Sequence, residues 1–172
     1  MKTVMMPAIS LDGYIARLNG DSYSWVNPED EARYQEAVEN CGCVLVGRKT
    51  YEQYLKDFLA YKNVTVYVCS SQAKPTPKDN IKYVNDLPKE ILRQVKSDGF
   101  SKIIICGGGD INGLFASHGL VNEIIVGIQP VVLGTGIPLF GSSKPSLNLE
   151  LISTNQYVRG VVENHYLVSA QV

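Results

Sequence analysis

Three short stretches carry the residue types that hold phosphate. Gly47-Arg48-Lys49-Thr50 combines two cations and a hydroxyl at what reads as the opening of a helix. Ser70-Ser71 follows an apolar run with hydroxyls and backbone N–H groups, and Gly107-Gly108-Gly109 offers backbone that no Cβ shields. Backbone N–H groups and the positive end of a helix both stabilise anions, so each stretch suits a phosphorylated ligand. Each also has a plainer reading. Gly-Arg-Lys-Thr is equally a solvated helix start, and a triple glycine also serves where two elements pack tightly. The dinucleotide fingerprint is incomplete, because Gly107-x-Gly109-x-x-Asn112 lacks its third glycine, and no Gly-Lys-Ser/Thr of a Walker loop follows.

The elements that must position these stretches are readable from periodicity and turn chemistry. Ile103-Ile104-Ile105-Cys106 suits a strand buried on both faces of a parallel sheet, and Ile111, Leu114, Phe115 and His118 share one face of a following helix. Residues 2–9 predict a first strand, Ser10 to Gly13 a turn, and Tyr14-Ile15-Ala16 a short extended piece. Asn27 is a fit N-cap and Pro28 a fit first helical residue, with Glu29, Asp30 and Glu31 in the dipole-favoured first turn. That helix is expected to run to about Asn40 and to stop at Gly42. Further strands are expected at 44–46, 64–69 and 81–84. Helices are expected from about Tyr51 to Leu59 and, capped by Asn85-Asp86, up to Asp98. Residues 72–80, with Pro75 and Pro77, read as a surface connection. From Val121 onward only strands are expected: 121–128, a Gly- and Pro-rich loop, then an antiparallel pair at 147–154 and 159–168. Strand–helix units followed by an antiparallel end predict an α/β fold with a mixed, mostly parallel sheet. If the strands before the three polar turns are parallel neighbours, those turns share the edge where open sheets bind ligands.

A chain of 172 residues, 45% hydrophobic and 19% charged, reads as one globular domain over residues 1–172. Its formal net charge of -1 argues against nucleic acid or an anionic membrane as partner. No apolar run is long enough to cross a bilayer, and Pro7 interrupts what would be a signal core, so a cytoplasmic location is expected. Cys41, Cys43, Cys69 and Cys106 read as reduced thiols. With only His118 and His165 beside them, no metal site is expected.

Together these pieces resemble the dihydrofolate reductase superfamily, in the branch of the riboflavin-biosynthesis reductase domain. The likeness is carried by Ala8-Ile9-Ser10-Leu11-Asp12-Gly13-Tyr14-Ile15-Ala16, Gly47-Arg48-Lys49-Thr50-Tyr51-Glu52, Ser70-Ser71, Ile103 to Gly109, and Pro130-Val131-Val132-Leu133-Gly134-x-Gly136-x-Pro138-Leu139-Phe140. It implies a three-layer fold, with about four helices around the sheet, and an NADPH-dependent reductase. The implied substrate is a small pterin-like or pyrimidine heterocycle, as in riboflavin precursors. By this resemblance Gly47, Arg48, Lys49 and Thr50 would hold phosphate oxygens, with Ser70 and Ser71 near the adenosine 2′-phosphate. Gly107, Gly108, Gly109, Asp110 and Ile111 would approach the pyrophosphate. Ala8 and Ile15 would flank the nicotinamide, and Leu18 to Gly20 would belong to a mobile covering loop. Trp25-x-x-Pro28-x-Asp30 matches the position of the proton-donating carboxyl, which makes Asp30 the candidate acid and Glu31 the alternative; Asp30 would otherwise only stabilise its helix N-terminus. Tyr14 and Trp25 would line the substrate pocket or belong to the core, and Asp12 is either catalytic or part of a turn. Relatives of this type pair through their late strands, so a homodimer is expected. The rival reading is a dinucleotide-binding module of the same fold without efficient reductase chemistry.

Overall fold

The computed structural model describes residues 1–72, 74–76 and 78–169; Pro77 of the expected surface connection lies outside them. The first half of the chain forms β1 (Lys2–Met5), β2 (Ala8–Ser10), β3 (Tyr14–Ala16), α1 (Pro28–Cys41), β4 (Cys43–Gly47), α2 (Arg48–Gln53), α3 (Leu55–Ala60) and β5 (Thr65–Cys69). It continues with β6 (Ile81–Val84), α4 (Pro88–Ser97), β7 (Lys102–Gly107) and α5 (Gly109–Ser117). The end is all strand apart from one 3-10 turn (Val158–Gly160): β8 (Glu123–Gln129), β9 (Ile137–Pro138), β10 (Asn148–Gln156) and β11 (Val162–Ser169).

The main sheet runs β10-β11-β8-β1-β7-β4-β5-β6, and β2 also pairs with β8. Pairings from β8 through β6 are parallel, whereas β11 pairs antiparallel with β8 and with β10. The mixed, mostly parallel sheet is therefore as the strand–helix order requires. Side-chain alternation divides the core into two layers. Val44, Val46, Val66, Val68 and Ile104 face α1, α2 and α3 through Val38, Tyr51 and Phe58. Cys43, Leu45, Tyr67, Ile103 and Ile105 face α4 and α5 through Ile91, Val95 and Phe115. Three layers result, and the described residues form five α-helices rather than four, because the expected helix over 51–59 begins at Arg48 and breaks at Tyr54.

Local chemistry sets the boundaries. Asn27 caps α1, its side chain accepting from the Glu29 N–H at 3.0 Å, and Gly42 ends the helix at φ 76°. Pro7, which has no N–H for a ladder, separates β1 from β2 where one strand was expected. The α4 cap is Leu87 with Pro88 at the first helical position, not Asn85-Asp86. Within the expected loop over 129–140, Ile137-Pro138 pairs with Tyr14 and Ala16 of β3. Gly136 permits that approach, since a Cβ there would lie 2.4 Å from the Ala16 carbonyl oxygen. No helix among the described residues is long and apolar enough to cross a membrane.

Candidate active site

Because β5, β4, β7, β1 and β8 are parallel, their carboxyl ends open onto one rim, and a cleft of about 650 Å³ runs along it. Ala8, Ile15, Asp30, Gly47, Arg48, Lys49, Thr50, Ser70, Ser71, Gly108, Gly109, Asp110 and Ile111 all line it. The three polar turns thus converge, as parallel neighbours should. Gly107, Tyr14 and Trp25 are not in the lining. Gly107 adopts φ 97° with the Asn112 side chain against it, a conformation that favours glycine. Tyr14 packs on Gly136, and Trp25 turns back to donate from Nε1 to the Asp21 carbonyl at 3.3 Å. Tyr23, Val26 and Tyr34 stand in the cleft wall instead. Nothing in their spacing marks them, because a loop and one helix turn bring them there.

At the β4, β5 and β7 end, the donors are only partly free. The Gly108 N–H donates to Thr50 Oγ1 at 3.1 Å, which locks the β7 turn onto α2. Gly109 is glycine for packing, since a Cβ would meet the Pro138 carbonyl at 2.7 Å. The N–H groups of Gly109 and Asp110 open the nine-residue α5 into the cleft with no partner among the described residues. Ser70 Oγ is spent on Gln72, donating to its carbonyl and accepting from its N–H. Ser71 and Lys49 are exposed, and Arg48 Nη1 pairs with Glu52 at 2.7 Å. Burial pushes the thiols of Cys69 up to about 12 and Cys106 up to about 11, so both stand protonated in the wall.

The β8 and β11 end is acidic. The carboxyl of Asp30 lies over Gly127, where a Cβ would be 2.6 Å from Oδ2. Oδ2 accepts from Gln129 Nε2 at 2.6 Å, and Oδ1 accepts from Arg33 Nη2 at 2.6 Å. The same Gln129 is buried, and its Oε1 accepts the Asn27 N–H at 3.0 Å. Burial raises the Asp30 pKa above its ordinary 3.8, while Arg33 and Gln129 oppose that shift. Arg33 reaches toward Glu163 of β11 and stacks 3.4 Å above the Tyr157 ring. Composition gave no sign of Gln129, Arg33 and Glu163 acting together, as they lie on three separate elements.

Leu18 and Gly20 border the cleft in a loop tied to the α2–α3 break. Gln53 Nε2 donates to the Gly20 carbonyl at 2.8 Å, and the Tyr54 hydroxyl lies 2.7 Å from Ser22 Oγ. Asp12 lies outside the cleft, in the Ser10–Gly13 turn that the Gly13 N–H closes by donating to the Ser10 carbonyl at 2.9 Å. Its carboxylate accepts from the N–H groups of Leu133 and Gly134 at 3.1 and 2.7 Å. His118, exposed, closes α5 with Nδ1 2.8 Å from the Leu114 carbonyl.

Residues 2–163 match the family model of the RibD C-terminal domain. The uncharacterized protein YwjB of Bacillus subtilis (strain 168) is 31% identical over 171 residues, covering 96% of this chain and 97% of YwjB. A Shewanella sp. PV-4 protein ascribed to riboflavin biosynthesis superposes with a TM-score of 0.84 at 25% identity, covering 99% of this chain and 100% of its own. Dihydrofolate reductase from Enterococcus faecalis, solved with NADP(H), superposes with a TM-score of 0.76 at 18% identity, covering 98% and 97%. The fold is that of the dihydrofolate reductases.

The central role of Gln129 can be measured. Gln129→Met leaves the Asn27 N–H and the Asp30 carboxyl without their partner, so urea unfolding should show a loss of roughly 1–3 kcal/mol. A carboxyl whose folded pKa is raised contributes stability below its unfolded value and loses it as pH rises through the folded one. Removing the Gln129 donor raises Asp30 further, so the deficit should be larger at neutral pH than near pH 4. Equal deficits at both would disconnect Gln129 from Asp30.

Proposed function

The chain belongs to the RibD C-terminal domain family within the dihydrofolate reductase superfamily, and on that premise we propose that it is an NADPH-dependent reductase of a small pterin-like or pyrimidine heterocycle. The observation that carries this reading is the two-ended cleft. Anion donors gather at the β4, β5 and β7 end, and a half-buried carboxyl stands at the β8 end. Ala8 and Ile15 line the same cleft and supply apolar wall where water must be excluded from a hydride path.

The residues present fit a phosphorylated dinucleotide. Free N–H groups at the start of α5, the Thr50 hydroxyl, Ser71 and Lys49 would hold phosphate oxygens, and Arg48 would turn to them from Glu52. NADPH, when bound, supplies the hydride. The chain supplies the proton: burial raises the proton affinity of Asp30 above that of an ordinary carboxyl, and its carboxyl faces the cleft beside Gly127. The alternative, a binding module without efficient turnover, is favoured by one feature. Both Asp30 oxygens are already engaged within the protein.

Isothermal titration should show NADPH binding more tightly than NADH. Arg48→Ala should cost about 1 kcal/mol of NADPH affinity, at the low end for a charge-assisted contact because Glu52 already shares the guanidinium. Undiminished affinity in that variant would move the phosphates elsewhere.

Asp30→Asn should lower turnover roughly 100-fold or more and leave NADPH affinity unchanged, as for loss of a general acid. Wild-type turnover should fall as pH rises through the raised Asp30 pKa, and this limb should vanish in the variant. A variant with full activity would pass the proton role to water or Glu31.

The reading extends to a homodimer. Leu149, Leu151 and Ile152 of the edge strand β10 are 45–55% exposed, an apolar surface on an open edge that a second copy would cover. Sedimentation at micromolar concentration should give twice the chain mass; a monomer alone would rule the pairing out.

A further inference from the structure

Resting on the reductase reading, we propose that the substrate end of the cleft takes a neutral or cationic heterocycle and rejects one that carries a phosphate. Asp30, Glu31 and Glu163 line that end, and Arg33 is its one lining cation among the described residues. Arg33 is not free to meet an anion. Its Nη2 is 2.6 Å from Asp30 Oδ1, its Nε is 3.9 Å from Glu163 Oε2, and its plane covers the Tyr157 ring. To turn toward a phosphate it would leave Asp30, whose side chain is only 12% exposed, as an uncompensated buried charge.

The other lining cations, Arg48 and Lys49, belong to the β4 turn. Three sheet spacings separate β4 from β8 in the order β8-β1-β7-β4, or roughly 14 Å. They serve the opposite end of the cleft. Arg17 lies outside the lining and sits 3.6 Å from Asp21, and Arg159 is exposed in the turn before β11, also outside the lining.

Tyr34 also lines the cleft, but its buried hydroxyl lies beside the Cys106 thiol of β7 and brings no charge to the acidic end. Carboxylates without a free cation match a ring that carries N–H donors. A phosphate there would face three carboxyl groups with no unshared cation.

The test compares two probes that differ by one phosphate group, 5-amino-6-ribitylaminouracil and its 5′-phosphate, titrated into the intact chain with and without saturating NADPH. The phosphate-free probe should bind at least about tenfold more tightly, a gap of the size that like-charge juxtaposition produces. The Glu31→Gln, Glu163→Gln double variant should narrow that gap to about threefold or less by removing two of the repelling charges. Equal or tighter binding of the phosphorylated probe overturns the proposal, as does an absence of binding by both at millimolar concentration. Failure of NADPH itself to bind overturns the reductase reading alone, because discrimination between the probes is read without NADPH as well.

Discussion

One buried amide holds the acid end of this molecule together. Gln129, at the last position of β8, accepts the Asn27 N–H through Oε1 and donates through Nε2 to Asp30. Both of its partners belong to the start of α1, so a single side chain sets where that helix begins and where its carboxyl lies. Gly127, two residues earlier on β8, has no Cβ to displace Asp30 from the strand. A buried amide with both ends satisfied is rigid, and a buried carboxyl without that donor would be costly. Gln129 therefore sets the position of Asp30 and moderates the rise in proton affinity that burial causes.

The opposite end of the cleft is built by packing rather than by dedicated ligand groups. The three glycines after β7 divide the labour: Gly107 adopts a left-handed φ, Gly108 bonds Thr50, and Gly109 meets the Pro138 carbonyl. Gly113 continues this contact, since a Cβ there would meet the Phe140 carbonyl at 2.3 Å. The long loop around Gly134 and Gly136 is thereby pressed onto β3 and α5. Donors that remain for a ligand are those left over after this packing, namely the first N–H groups of α5, Lys49 and Ser71. That is a physical reason for a site that looks glycine-rich in sequence yet presents few free glycine N–H groups.

Charge along the cleft is divided by the sheet. Apart from Asp110 at the start of α5, the carboxylates sit on α1 and β11, and the cations other than Arg33 sit on the β4 turn, with β7, β1 and β8 between them. Arg33 would upset this division if it were free, but Asp30, Glu163 and the Tyr157 ring hold it in place. The cleft therefore has a polarity, which a uniformly charged groove would lack.

Much of this was legible from the amino-acid sequence. β-branched runs, Asn27-Pro28, Gly42 and the strand–helix order determined the elements and the mixed sheet, because capping, turn and alternation rules act over a few residues. The convergence of the three polar turns also followed, since parallel neighbours end on one edge. What only the tertiary structure decided are the partnerships across long separations. Gln129 meets Asp30 over 99 residues, Thr50 meets Gly108 over 58, and β3 meets β9 across most of the chain. Tyr14 and Trp25 left the cleft for the same reason: a side chain's direction depends on what packs against it, and no local rule reports that. Periodicity says which face of an element is buried, whereas the atoms that meet on that face depend on how distant elements are brought into register.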